Sequence, residues 1–209
     1  MAFSLIPDIY VHPTPGGCYQ AVSSPSKSPE REMIRTMLNE NVTPMPTVEA
    51  LKTWSGMDDD QQALSLLHRL QSLHWIQGFK QPQSCPQQAL ETMLPQLLSN
   101  FGSQGKALLA DHQGFYLASS GFPHEVAEEL SALSADLANL HERRAGVLQN
   151  NMSLRSSAFA VVDAAGNSQL GFWPLYIGNV RFVLVISGMP HLNHPAFVTL
   201  IWVLTRRYA

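Results

Sequence analysis

His191 and His194 stand three residues apart, a spacing that lets two imidazoles reach one metal ion. Pro190 and Pro195 bracket them, and no cysteine or carboxylate lies close in sequence, so a loop ahead of a helix is the plainer reading. Asp58-Asp59-Asp60 would suit a hard cation, but no EF-hand pattern follows, and acids in a first helical turn complement the helix dipole. His68 and His74 fall on surface or boundary positions of the same helix. Arg143-Arg144 would end a long helix, where cations offset the dipole, or meet an acidic partner. Neither a Gly-x-x-x-x-Gly-Lys-Ser/Thr loop nor Gly-x-Gly-x-x-Gly nor Gly-x-Ser-x-Gly occurs. The expectation is a chain with no catalytic, cofactor-binding or metal-binding residues: not an enzyme, and needing no cofactor.

Composition agrees with that. The 209 residues are 45% apolar and 14% charged, with a net charge of −3. A core can be buried, and nothing global points to nucleic acid or anionic lipid. Cys18 and Cys85 lie in polar, proline-containing stretches and read as unpaired thiols in a reducing compartment. Met1–Tyr10 lacks a signal peptide's basic start and apolar run. The longest apolar run, Ala196–Leu204, is interrupted by Thr199 and followed by Arg206-Arg207, far short of the ~20 residues a bilayer needs. A soluble, cytoplasmic protein with no membrane contact is expected.

The punctuation of the chain suggests three parts: 1–27 as a loop or ordered arm with a short strand at Ile9-Tyr10-Val11, a domain over 28–82, and a second over 83–209. In the first domain Ser28 caps a helix beginning at Pro29, with Met33, Ile34, Met37 and Leu38 on one face. Thr47 opens a second helix carrying Val48, Leu51 and Trp54. A third, starting near Asp58, buries Ala63, Leu66, Leu67, Leu70 and Leu73, and a strand follows at Trp75–Phe79. Three short helices and then a strand, with the spacing Leu67-x-x-Leu70-x-x-Leu73-x-Trp75-Ile76, resemble a winged helix-turn-helix. DNA-binding versions of that fold carry cations on the third helix and wing. Residues 1–82 instead hold six Lys/Arg against eight Asp/Glu, a net of −2, and the third helix opens on three aspartates. DNA is an unlikely partner by this count, and protein binding or scaffolding fits better.

The second domain reads as a helix over Ser84–Phe101 capped by Ser84 and disturbed by Pro95, strands at Lys106–Asp111 and Phe115–Ser119, and a long helix from Pro123 to Arg144. Strands follow at Ser157–Asp163, Gln169–Ile177 and Val180–Ser187, and the chain closes on a segment from His194 to Tyr208. On propensity that last segment suits a strand, while Pro195 and Arg206-Arg207 favour a helix. As a helix it is apolar nearly all round, so the first domain or a second subunit must cover Trp202 or Val198.

The long helix carries two adjacent stripes. Val126, Leu130, Leu133, Leu137 and Leu140 form one, expected on the sheet. Ala127, Ser131, Ser134 and Ala138 form the other, which either faces solvent or a tight loop, or lets another helix approach. Phe159-Ala160-Val161-Val162-Asp163 is apolar without alternation, as in a strand covered on both faces.

The stretch Lys106-Ala-Leu-Leu-Ala-Asp-His-Gln-Gly-Phe-Tyr-Leu-Ala-Ser-Ser-Gly121, then Glu129-Leu130-x-x-Leu133, resembles the roadblock/dynein light-chain family over residues 84–208. That resemblance implies an α+β fold: a five-stranded antiparallel sheet in the order helix-strand-strand-helix-strand-strand-strand-helix, behind a winged-helix-like domain. It also implies a homodimer through the long helix and third strand, which assigns the small stripe Ala127, Ser131, Ser134 and Ala138, with Phe159, Val161 and Asp163, to the dimer interface. By the same resemblance the chain would be a bacterial-type adaptor for a small Ras-like GTPase, of the kind used in gliding or twitching motility. The alternative is a transcription regulator with a winged helix and a C-terminal dimerisation domain.

Overall fold

The computed structural model describes residues 3–153 and 156–209. The chain forms two compact units: the described residues up to Gln87 together with Pro195–Ala209, and Gln88–His194. The sequence reading drew the boundary after residue 82 and assigned the C-terminal segment to the second domain. Both are corrected: the closing helix belongs to the first unit, whose chain is therefore interrupted by the second.

The first unit begins with β1 (Tyr10–Pro13) and α1 (Pro15–Val22), where an arm was expected. Met1 and Ala2 of that arm lie outside the described residues. Then come α2 (Pro29–Leu38), α3 (Val48–Ser55), α4 (Asp60–Ser72) and β2 (Ile76–Phe79). Thr14, Ser28, Thr47 and Asp59 cap the four helices, each accepting the backbone N–H three residues on. Losing one such cap typically costs about 1 kcal/mol. Met33, Ile34, Met37, Leu38, Leu51, Ala63, Leu66 and Leu70 are buried. Leu64 joins them, while Leu73 is exposed.

The strand pairing departs from a wing. β2 pairs antiparallel with the N-terminal strand β1, Tyr10 opposite Phe79 and Pro13 opposite Ile76. The chain returning after β2 bonds elsewhere, with Val42 opposite Ser84 and Cys85 N donating to Asn41 O at 2.8 Å. Ser84 and Cys85 are thus held extended, which is why no helix starts at Ser84. The first helix of the second unit, α5, spans Leu90–Leu98 with Pro95 inside it. Within the first unit, Gly17 lets α1 lie close against the turn before β2: a Cβ there would lie 1.9 Å from Trp75 O.

Six strands and helices complete the chain: β3 (Ala107–Ala110), β4 (Tyr116–Ser120), α6 (His124–Gly146), β5 (Phe159–Val162), β6 (Ser168–Ile177) and β7 (Val180–Ser187), before the closing α7 (Ala196–Tyr208). A π-helical turn, Val147–Asn151, extends α6. The second unit holds a five-stranded antiparallel sheet in the order β4-β3-β7-β6-β5, and the element order is the one expected. β3 is buried along its whole length, as are Phe182–Ile186 of β7, as central strands require.

Within the first unit α7 packs against α1 and α2 and buries Phe197, Leu200, Ile201, Trp202, Val203 and Leu204. Trp202 Nε1 donates to Glu40 O at 2.7 Å, and Arg206 bonds Asn39 through the latter's carbonyl and Oδ1. The indole lies 4.3 Å, centroid to centroid, from the His12 ring.

His12 is 2% exposed, and its Nε2 has no hydrogen-bond partner among the described residues. Burial pushes its pKa down to about 4 from 6.5, against an upward pull from hydrogen bonding to the Pro13 backbone. Folding therefore favours neutral imidazole. The associated stability is present in full above the unfolded pKa and is lost as pH falls from 6.5 toward 4. A shift of that size corresponds to about 3 kcal/mol. Urea unfolding from about pH 7 to about pH 4.5 should show a falling midpoint, and His12→Phe should remove this component. An unchanged acid dependence in the variant would assign the loss to other groups.

Candidate protein interaction site

The second unit buries the stripe that was expected outside. Ala127, Ser131 and Ser134 are 0% exposed and Ala138 is 3% exposed. Ala127 and Ala138 join Leu108, Ala110, Phe172, Val183 and Val185 in one core cluster. The physical reason is volume. The sheet face beneath α6 carries leucine, valine and phenylalanine, and a helix can settle on it only if its own contact residues are small. The two serines cost little in that position because each hydroxyl is satisfied locally: Ser131 Oγ donates to Ala127 O at 2.6 Å and Ser134 Oγ to Ser131 O at 2.8 Å. The assignment of Ala127, Ser131, Ser134 and Ala138 to a dimer face is therefore corrected: they hold α6 to its own sheet.

The other stripe turns out. Val126, Leu133 and Leu140 are 39%, 44% and 43% exposed, while Leu130 and Leu137 are half-buried against the core cluster. Three large apolar side chains along one edge of a helix form a contiguous strip, which is more informative than scattered exposure.

β5 lies beside that strip. It is an edge strand, paired with β6 through Phe159–Phe172 and Val161–Leu170. Alternation places Phe159 and Val161 with Leu170 and Phe172 on the face that α6 covers. His141, the residue after Leu140, meets Phe159 edge-on with ring centroids 5.4 Å apart. Phe159 is half-buried, and Val161 and Val162 are 57% and 54% exposed. The expectation of a strand covered on both faces is not met within this chain. An apolar row on α6 and an apolar open edge thus share one side of the second unit.

Asp163 is not part of the strand. Its Oδ1 accepts from Ala165 N and Asn167 N, both at 2.9 Å, and its Oδ2 accepts from the side chains of Asn167 and Gln169 at 3.2 Å. Hydrogen bonding from Asn167 comes first among the causes that hold its pKa below the usual carboxylate range. Asp111 does the same work in the β3–β4 turn, accepting from Gln113 N at 2.9 Å and Phe115 N at 3.0 Å. Both turns are Asp-x-x-Gly, with Gly114 at φ 90° and Gly166 at φ 86°, conformations that glycine adopts without a Cβ clash. Asp163 is accordingly a turn residue that closes the β5–β6 connection.

One functional anchor went unread in the sequence. Arg181 bonds Glu142 at 2.8 Å and Asn139 Oδ1 at 2.8 Å, and Tyr176 donates to Glu142 at 3.3 Å, tying the last turns of α6 to the β6–β7 hairpin. The alternation Tyr176/Arg181 across a Gly178-Asn179 turn was the available signal.

The residues singled out for chemistry are dispersed. His191 and His194 sit in a turn, with His194 N donating to His191 O at 3.0 Å. Asp59 caps α4, and Asp60 pairs with Lys52 at 3.0 Å. Burial pushes both the Cys18 and Cys85 thiols up, away from thiolate reactivity. Among the described residues no group of three His, Cys, Asp or Glu is placed to hold a metal ion, and no helix is long and apolar enough to cross a membrane.

No family model and no curated protein matches the chain. Among solved structures, it is similar to a Roadblock/LC7 domain from Streptomyces avermitilis, with 13% identity and a TM-score of 0.36. The alignment covers 54% of this chain and 89% of that one.

Proposed function

We propose that the chain is a non-enzymatic, homodimeric adaptor of the roadblock type that regulates or scaffolds a small Ras-like GTPase in a reducing cytoplasm. The observation that carries this reading is the exposed row Val126, Leu133 and Leu140 on α6, running beside the open apolar edge of β5. A second copy set about a two-fold axis would lay row against row and continue the sheet through β5. Burying a leucine of this kind contributes about 1.5–3 kcal/mol, and an edge strand left open invites pairing. The reading keeps the expected elements, the long helix and the third strand. Its contact residues are Leu133, Leu137, Leu140 and Val161 in place of the small stripe. The GTPase partner follows from the sequence resemblance, and motility and bacterial origin belong to the same expectation.

The rival reading, a DNA-binding regulator, meets an electrostatic obstacle. The cations of α3 and α4 are already engaged: Lys52 pairs with Asp60 at 3.0 Å and Arg69 with Glu30 at 3.1 Å. Neutralised cations release few phosphate counterions. Duplex DNA titrated at low and moderate salt should bind the full chain only weakly. Sub-micromolar affinity with a steep salt slope would promote the rival.

Light scattering on the full chain should give twice the chain mass. Leu133→Glu with Leu140→Glu should give a folded monomer, because both side chains lie outside the core. Ser131→Arg should instead lower stability by about 3 kcal/mol or more, since it forces a cation into a fully buried site. A monomeric wild type, or a double variant that still dimerises, would refute the assigned face. Once the dimer stands, gel filtration with small GTPases in their GDP and GTP-analogue states tests the partner.

A further inference from the structure

The segment 23–28 joins α1 to α2 and holds Ser23, Ser24, Ser26 and Ser28 around Pro25 and Lys27. Ser26 and Lys27 are exposed. Two arginines one turn apart on α2 reach back over this segment. Arg31 Nε donates to Gln20 O at 2.9 Å, and its Nη1 donates to Ser26 Oγ at 2.7 Å and to Ser26 O at 3.5 Å. Arg35 donates to Ala21 O at 3.0 Å, to Ser24 O at 2.8 Å and to Glu32 Oε1 at 3.0 Å. The two guanidiniums close the C-terminal end of α1, whose own last turn has no basic residue.

The charges here do not balance. Arg35 has Glu32. Glu30 is taken by Arg69 at 3.1 Å. The acceptors that Arg31 finds among the described residues are neutral oxygens. Burial, and then repulsion from Arg35, lower its pKa, against an upward pull from the charge of Glu30. Like charges one turn apart on a helix are destabilising, so an anion added where the exposed Ser26 hydroxyl touches Arg31 would offset their repulsion. Ser24 Oγ lies 3.0 Å from Ser26 Oγ, adding a hydroxyl beside the same spot.

We propose that Ser26 is a phospho-acceptor whose phosphate is held by Arg31, with Lys27 and Arg35 supplying further positive charge. In the step, a protein kinase acting in trans presents a nucleoside triphosphate, and Ser26 Oγ attacks the γ-phosphorus. The new O–P bond forms as the bond from γ-phosphorus to the bridging oxygen breaks. Nucleoside diphosphate leaves, and the hydroxyl proton passes to the kinase's base. The product replaces one neutral acceptor on Arg31 Nη1 with a near-dianion of three acceptor oxygens, turning a neutral contact into a charge-assisted one. This would fasten the α1–α2 connection.

The test is the full chain carrying phosphoserine encoded at position 26, titrated by phosphorus NMR. A phosphoserine ordinarily loses its second proton near pH 6. In the folded chain that value should fall by about one unit relative to the same chain unfolded in urea, and Arg31→Gln should remove most of the difference. If Arg31→Gln fails to fold, Arg31→Lys, which keeps the charge without the fork, should retain a smaller shift. Inorganic phosphate titrated into the unmodified chain should leave the Arg31 side-chain resonances unmoved. An identical second pKa in folded and unfolded chains, or a shift undiminished by loss of Arg31, would overturn the proposal. Saturable binding of free phosphate at Arg31 would overturn it in favour of a site for a diffusing anion.

Discussion

The second unit depends on how closely α6 can lie on its sheet. Ala127, Ser131, Ser134 and Ala138 sit where side chains of any size would lift the helix off Leu108, Phe172, Val183 and Val185. Dispersion contacts fall away steeply with a gap of even an ångström, so the small stripe is what lets the helix contribute to the core. The same choice has a consequence on the helix surface. Successive residues turn by about 100°, so when the small stripe points down, the leucine stripe beside it must point sideways, leaving Val126, Leu133 and Leu140 exposed. The exposed apolar row is therefore the geometric remainder of a helix packed through its smallest side chains.

That constraint also explains which part of the site was legible in the sequence. The periodicity identified both stripes, though not Ala135 and His141, which are buried beside the small one, and the helix, the hairpins and the five strands follow their expected order. Periodicity cannot say which stripe faces the sheet, because hydrophobicity and packing size point in opposite directions. The leucines have more to gain from burial, about 1.5–3 kcal/mol each, yet the facing strands already fill the space. The deciding information was in the strands: Phe172, Val183, Val185 and Leu108 form a bulky floor, and a bulky floor takes a small-residue helix. Asp163 was misread for a related reason. It follows Val162 without a break in the apolar run, but Gly166 three residues on marks the Asp-x-x-Gly turn that Asp111 and Gly114 also form.

In the first unit the obstacle was distance along the chain. Helix caps are local, and Ser28 and Thr47 were readable as such, whereas the partners of β2 and of α2 come from the two ends of the sequence. β1 supplies the strand that β2 pairs with, and α7 supplies Trp202 to the Glu40 carbonyl and Arg206 to Asn39. Residues 162 and 167 positions apart leave no trace in a local pattern. The apolar character of α7 on all sides did carry a signal. A helix with no polar face must be enclosed, and in this unit α1 and α2 provide part of the enclosure.

Charge is placed in the first unit by the same economy. Four cations that the helices carry are committed to structural acceptors: Lys52 to Asp60, Arg69 to Glu30, Arg35 to Glu32 and the end of α1, Arg206 to Asn39. Surface ion pairs contribute little to stability individually. Their larger effect is on recognition, because a surface whose cations are paired one by one presents no continuous positive field to a polyanion. Arg31 departs from this pattern. It is held by three neutral oxygens at the junction of α1 and α2, one of them the hydroxyl of the exposed Ser26. A guanidinium held on neutral oxygens beside an exposed serine suits recognition of a single added anion, whereas nucleic acid requires a stripe of cations.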